Sequence, residues 1–176
     1  MTILIIVLII IAIPLIIAAT LSKDYVIERE ITVDKPIKEV FEYVKLIRNS
    51  ENWSKWVMTD PNSKKTYKGT DGTVGFVYGW DSENKNVGQG QQEITAIKEG
   101  ERVDFELRFI KPFENKSNAA ITTEHIGGNQ TKVKWYFMGE RGYIMKLMHF
   151  VLRLEKMLGK DMVISLNTLK SALEKA

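Results

Sequence analysis

From Tyr25 to Met138 apolar and polar residues alternate in short runs broken by glycine, asparagine and aspartate, and after Gly142 the spacing changes to threes and fours. Alternation puts every second side chain on one face of a strand, whereas recurrence at three and four puts them on one face of a helix. The alternation is clearest where Val103, Phe105, Leu107 and Phe109 interleave with Arg102, Asp104, Glu106 and Arg108, so one face of that strand is apolar and the other meets water. Phe76, Tyr78 and Trp80 form a second such row, and Val133, Trp135 and Phe137 a third. The pattern predicts strands over 25–33, 63–69, 73–80, 87–98, 101–110, 114–126 and 130–138. Asp71-Gly72, Glu99-Gly100 and Gly127-Gly128-Asn129 fall between them with hairpin chemistry, which gives an antiparallel meander. Gly75, Gly79, Gly88 and Gly90 sit inside strand patterns and predict bulges, hence a strongly curved sheet.

Asp34 followed by Pro36 is a helix-start signal, and Ile37, Val40, Phe41, Val44 and Ile47 follow at helical spacing. The stretch Ser50 to Pro61 carries Trp53 and Trp56 and predicts a short helix or a lid-like loop. From Tyr143 to about Leu173 the apolar set Ile144, Leu147, Met148, Val151, Leu154, Leu158, Met162, Leu166, Leu169 and Leu173 predicts one long amphipathic helix. The simplest object for its apolar face to cover is the antiparallel sheet, an α+β arrangement that can hold a ligand between its layers.

Residues 2–21 contain no charge and are mostly Ile, Leu, Val and Ala. At the helical rise they span about 30 Å, the thickness of a bilayer core, and a proline such as Pro14 is tolerable there. They predict a transmembrane anchor over 1–22, ahead of one domain over 23–176. A cleaved signal peptide is the alternative, with Ala18 and Ala19 as small residues near its exit. No Lys or Arg precedes the run, which also exceeds the usual h-region of about 7–15 residues. Lys23, Arg29, Lys35 and Lys38 follow it, which by the positive-inside rule puts the domain in the cytoplasm, with an extracytoplasmic domain as the other orientation.

There is no cysteine, so neither disulfides nor thiol chemistry arise. The net charge of +3 comes from 25 basic and 22 acidic residues without a Lys/Arg block, and no nucleic-acid partner is expected. His125 and Glu124 are neighbours on a strand and point to opposite faces. His149 has Met145 and Arg153 one turn away and no ligand at metal spacing. Both histidines therefore read as structural, and no metal, cofactor or catalytic residue is assigned. Gly88-Gln89-Gly90 lies within a strand with no helix after it, so it is not a phosphate loop.

The element order, with the Asp34-Lys35-Pro36 turn, Asn52-Trp53-Ser54-x-Trp56, the Gly-x-Gly strand at Gly88 to Gly90 and the terminal helix, resembles the SRPBCC superfamily (START-like, polyketide-cyclase-like) over about residues 24–175. The run Trp53 to Pro61, the turn from Gly69 to Gly75, and Phe105-x-Leu-x-Phe-x-Lys-Pro-Phe113 are similar to its polyketide cyclase/dehydrase and lipid-transport branch. These motifs shape a fold and carry no catalytic signature. The resemblance implies a helix-grip fold, a curved sheet of about seven strands wrapped on the C-terminal helix, with a hydrophobic pocket between them.

On that reading the ligand-binding set is Trp53, Trp56, Phe76, Tyr78, Trp80, Gln92, Phe105, Leu107, Phe109, Trp135, Phe137, Leu147, Met148 and Val151. Any one apolar member taken alone reads as ordinary core before it reads as a ligand contact, while the resemblance favours a pocket for the set as a whole. Gln92 shares the inward parity of Ile94 and Ala96, so its amide needs a partner from protein, water or ligand. Trp53 and Trp56 read as a lid, as packing of a short helix on the sheet, or as contacts to a headgroup layer. The expected function is a membrane-anchored binding or transport domain for a hydrophobic small molecule or lipid. One alternative is a cyclase/dehydrase-like enzyme in which Tyr78 and Gln92 move or steer a proton; the other is an interaction domain with a filled core and no ligand.

Overall fold

The alternating runs pair into one seven-stranded antiparallel sheet in the order β1-β7-β6-β5-β4-β3-β2. The computed structural model describes residues 2–175, with the side chains of 4–7, 9 and 11 outside that description. Along the chain come α1 (Thr2–Thr20), β1 (Asp24–Val33), α2 (Ile37–Lys45), a 3₁₀ turn (Ile47–Asn52), α3 (Lys55–Met58), β2 (Lys64–Lys68) and β3 (Val77–Asp81). Then follow β4 (Gln89–Lys98), β5 (Arg102–Lys111), β6 (Asn115–Gly127), β7 (Gln130–Glu140), α4 (Tyr143–Leu152) and α5 (Leu154–Glu174). The first and last strands close on each other, Asp24 opposite Glu140 and Val33 opposite Thr131. Register shifts at Gln89/Gly90 and Ile94/Ala96 bend β4 against β5, in the glycine-rich stretch where the sequence predicts curvature.

Strand β3 starts four residues later than expected because the preceding turn has another task. The Asp71 carboxylate accepts hydrogen bonds from the backbone N–H groups of Ile47 and Arg48 at 2.9 and 3.0 Å. That caps the 3₁₀ turn and holds 69–74 as a turn, with pairing to β4 resuming at the Gly75 N–H, which donates to the Ile94 carbonyl at 2.8 Å.

Period-2 alternation then sorts the side chains. One inward row crosses the whole sheet, Tyr78 opposite Gln92, Gln92 opposite Leu107, Leu107 opposite Ser117, Ser117 opposite Gly139 and Gly139 opposite Tyr25. The next row runs from Ile94 through Phe105, Ala119 and Phe137 to Ile27. The outward face carries an ion-pair lattice, Arg108 with Glu93 and Glu106 at 2.7 and 2.6 Å and Lys116 with Glu106 at 2.6 Å. Such exposed pairs keep that face wet and add little stability. Helix α5 lies across β1 and buries Met162, Leu166, Leu169 and Leu173, while α2 packs Val40, Phe41 and Val44 against β6 and β7. The helix-grip expectation for sheet and C-terminal helix therefore holds.

Two expectations are corrected. The single C-terminal helix breaks at Arg153, whose left-handed backbone (φ 51°, ψ 43°) ends α4 and starts α5. Eight of the ten residues of α4 are apolar (Tyr143, Ile144, Met145, Leu147, Met148, Phe150, Val151 and Leu152), so it has no single face to lay on the sheet and instead packs against α1 and α5.

The transmembrane anchor over 1–22, and with it the single-pass membrane localisation, is overturned: among the described residues no helix is long and apolar enough to cross a membrane. The side chains of 4–7, 9 and 11, on which the expectation also leaned, lie outside the described residues. The end of α1 meets protein: Ala18 is fully buried and the Tyr143 hydroxyl donates to the Leu15 carbonyl at 2.8 Å.

Candidate functional site

Helix α5 lies against β1 and α2 against β6 and β7, and the inward residues of β3, β4 and β5 are buried at Tyr78, Ile94, Val103 and Phe105 but only half-buried at Trp80, Gln92, Leu107 and Phe109. The predicted set divides along this line. Phe76, Tyr78, Phe105, Trp53 and Trp135 are buried in one continuous core with Met162 and Leu166. Trp80, Gln92, Leu107, Phe109, Phe137 and Trp56 are half-buried, and the strand residues among them form a half-exposed apolar patch, the candidate groove, on the inward side of the sheet.

Aromatic rings pave one wall: Tyr67 to Tyr78 to Trp80 to Phe109, at centroid separations of 5.6, 5.9 and 6.0 Å. Gly90 permits this arrangement, since a Cβ there would come within 2.5 Å of the Trp80 ring.

The polar groups of the groove are few. The Tyr78 phenol is pushed well above its usual range by burial, then by the neighbouring Tyr67 and Glu51, so it stays a proton donor across the physiological range. Neither the Tyr78 hydroxyl nor the Gln92 amide makes a hydrogen bond among the described residues, although the two sit directly opposite in the register. At the mouth Tyr67 is pushed up to about 12 by burial and by its hydrogen bond to Glu51. Burial alone would raise Glu51, but Lys65 and Tyr67 outweigh it and hold the carboxyl below its usual range.

The tryptophan segment is tied down. Trp53 and Trp56 both meet the Trp135 ring edge-on, at 5.1 and 5.3 Å. Helix α3 is latched to α5 through the Lys55–Asp161 ion pair and through the Lys55 N–H to Ser165 Oγ at 2.9 Å. Trp53, with its indole N–H buried and unpartnered, is a core residue. Trp56 is half-buried against the Trp135 ring.

The three α4 residues are not brought to the groove. Leu147 and Met148 are half-buried on a helix packed against α1, and Val151 is 58 % exposed. What sequence reasoning missed lies beside them. Arg141, at the end of β7, is buried with His149, its Nη1 3.1 Å from His149 Nδ1 and 2.7 Å from Glu155 Oε1. The Tyr25 ring meets the imidazole edge-on at 4.8 Å, and the Arg141 guanidinium lies 5.4 Å from the centre of the same ring. Local spacing held no signal for this cluster, because its members come from β1, β7, α4 and α5.

Burial first, and then the Arg141 charge, depresses the His149 pKa below its usual 6.5. A depressed folded-state value means stability that is full above pH ~6.5 and is lost as pH falls through the unfolded value toward the folded one. His149→Gln is expected to remove that component: urea midpoints compared at pH 7 and pH 5 should fall further for the wild type than for the variant. Equal drops would assign the acid sensitivity to the carboxylates alone.

Residues 25–174 match the family model described as polyketide cyclase / dehydrase and lipid transport. No curated protein matches the chain. Among solved structures, a protein from Thermobifida fusca is similar at 16% identity and a TM-score of 0.63, over 85% of this chain and 93% of that one. Truncated norcoclaurine synthase from Thalictrum flavum aligns at 10% identity and a TM-score of 0.62, again over 85% and 93%. The Aha1 protein from Colwellia psychrerythraea aligns at 14% identity and 0.58, over 85% and 96%. At such identities the likeness establishes the fold alone.

Proposed function

This chain belongs to the polyketide cyclase/dehydrase and lipid-transport family, and from that premise we propose that it binds a hydrophobic small molecule or lipid in the groove over β3, β4 and β5. One observation carries the reading: an apolar, half-buried face on which two inward polar groups directly opposite each other, Tyr78 and Gln92, have no hydrogen-bond partner among the described residues. Aromatic and aliphatic walls supply affinity through burial, and the two polar groups orient one oxygen of the ligand. The phenol, held protonated, donates; the amide both donates and accepts.

A cyclase/dehydrase-like activity is the second reading, favoured by one observation. A tyrosine whose burial keeps it protonated suits hydrogen-bond donation to a carbonyl on which charge develops, not proton abstraction. The filled-core reading applies to the other half of the interior, where Trp53, Phe105 and Trp135 are closed around α5.

Leu107→Lys tests the proposal. Leu107 is half-buried on the groove floor between Gln92 and Ser117, so a charge there meets the ligand without entering the sealed core. Affinity for a fluorescent apolar probe is expected to fall at least about tenfold while far-UV circular dichroism stays native. Unchanged affinity in a folded variant would move the ligand out of this groove.

A further inference from the structure

Where α4 turns into α5 there is a cavity of about 340 Å³ whose polar lining is Arg141, His149, Arg153, Glu155 and Lys156. It is separate from the groove, with the Tyr25 ring standing between Phe137 on one side and His149 on the other. Four observations converge on it.

Arg141 is 94 % buried, since only 6 % of it is exposed; its Nε donates to the Ser22 carbonyl and its Nη1 serves His149 and Glu155, leaving Nη2 without a partner among the described residues. Glu155 is already neutralised by that ion pair, at 2.7 Å, and among the described residues no carboxylate pairs with Arg153 or Lys156. Arg153 is, among the described residues, the one non-glycine at positive φ, a conformation that a side-chain-bearing residue rarely holds and that recurs at functional sites. The 21-residue helix α5 begins at this point with no side-chain cap, so its first backbone N–H groups and the positive end of its dipole face the same region.

We propose that this cavity is an anion site that takes the phosphate group of a phosphate monoester. A dianion matches these two cations together with the spare Arg141 donor, where a carboxylate would leave one charge unanswered. Phe150 and Leu21 complete the lining and give the ester's apolar remainder a surface. His149, kept neutral by burial and by Arg141, adds no charge and holds the guanidinium in place through Nδ1. A free metabolite and a phospholipid headgroup present the same phosphate chemistry to this site, and the two sources are separated by experiment.

The full chain is titrated calorimetrically with inorganic phosphate and glycerol 3-phosphate, and sedimented with phosphatidylcholine vesicles with and without phosphatidic acid. Arg153→Gly removes a cation while placing the residue that best tolerates this φ, so the α4–α5 turn survives. Lys156→Ala removes the second cation from a helix surface, and Lys85→Ala, in a distant loop, is the control. Each of the first two is expected to weaken binding about tenfold or more, with the thermal midpoint of Arg153→Gly equal to or above the wild type. Binding of the soluble ester assigns a free ligand; binding to phosphatidic acid vesicles alone assigns a headgroup. Absence of binding to every probe, wild-type affinity in both variants, or an equal loss in Lys85→Ala overturns the site. Leu107→Lys should leave this binding intact, which keeps its failure distinct from that of the groove.

Discussion

Trp135→Ala is expected to cost about 3–5 kcal/mol, the range for truncating a large buried aromatic. Trp135 is 8 % exposed and is the shared partner of Trp53 and Trp56, so its removal leaves a void and also strips both edge-on ring contacts at once. The effect should reach function. Trp56, a candidate ligand contact, loses the ring it packs on, while α3 stays latched to α5 through Lys55. Chemical denaturation should report the stability loss, and the apolar probe should bind the folded variant with a faster off-rate. A loss near 1 kcal/mol would mean that the neighbouring rings collapse into the space.

Leu166→Ala is expected to cost about 2–5 kcal/mol, which for a chain of this size lowers the thermal midpoint by roughly 4–20 °C. Leu166 is 1 % exposed and sits between Met162 and Leu169 on the buried face of α5. It touches the closed half of the interior, so probe affinity measured below the transition should stay at the wild-type value. The two substitutions thus separate the halves of the concave face: one couples stability to binding, the other does not. Parallel loss of affinity in Leu166→Ala would mean that the groove extends beneath α5.

The strands were legible because their signal is local. Val103, Phe105, Leu107 and Phe109 share a face whatever they pair with, and their partners Ile121, Ala119, Ser117 and Asn115 follow once hairpin turns set the register. Gln92 could be placed inward on the same grounds, and it lies opposite Tyr78. The early helix read correctly from its Asp-x-Pro start and apolar spacing. By contrast, Val151 continues the apolar spacing of α5 yet stands 58 % exposed on α4. Nothing in Leu152-Arg153-Leu154 announces a left-handed residue, since arginine has no preference for it.

What the sequence determined, then, is which side of each strand and helix avoids water, the order of the elements, and through them the helix-grip family. The tertiary structure alone decided what covers each apolar side. It set α5 over β1, buried Tyr78, Ile94 and Phe105 while leaving Trp80, Gln92 and Leu107 half-exposed, turned α4 away onto α1, and drew Arg141, His149, Glu155 and Tyr25 together from four separate elements. The physical reason is that the hydrophobic effect is non-directional: periodicity fixes which face must be buried, while the choice of partner depends on packing between segments far apart in the chain.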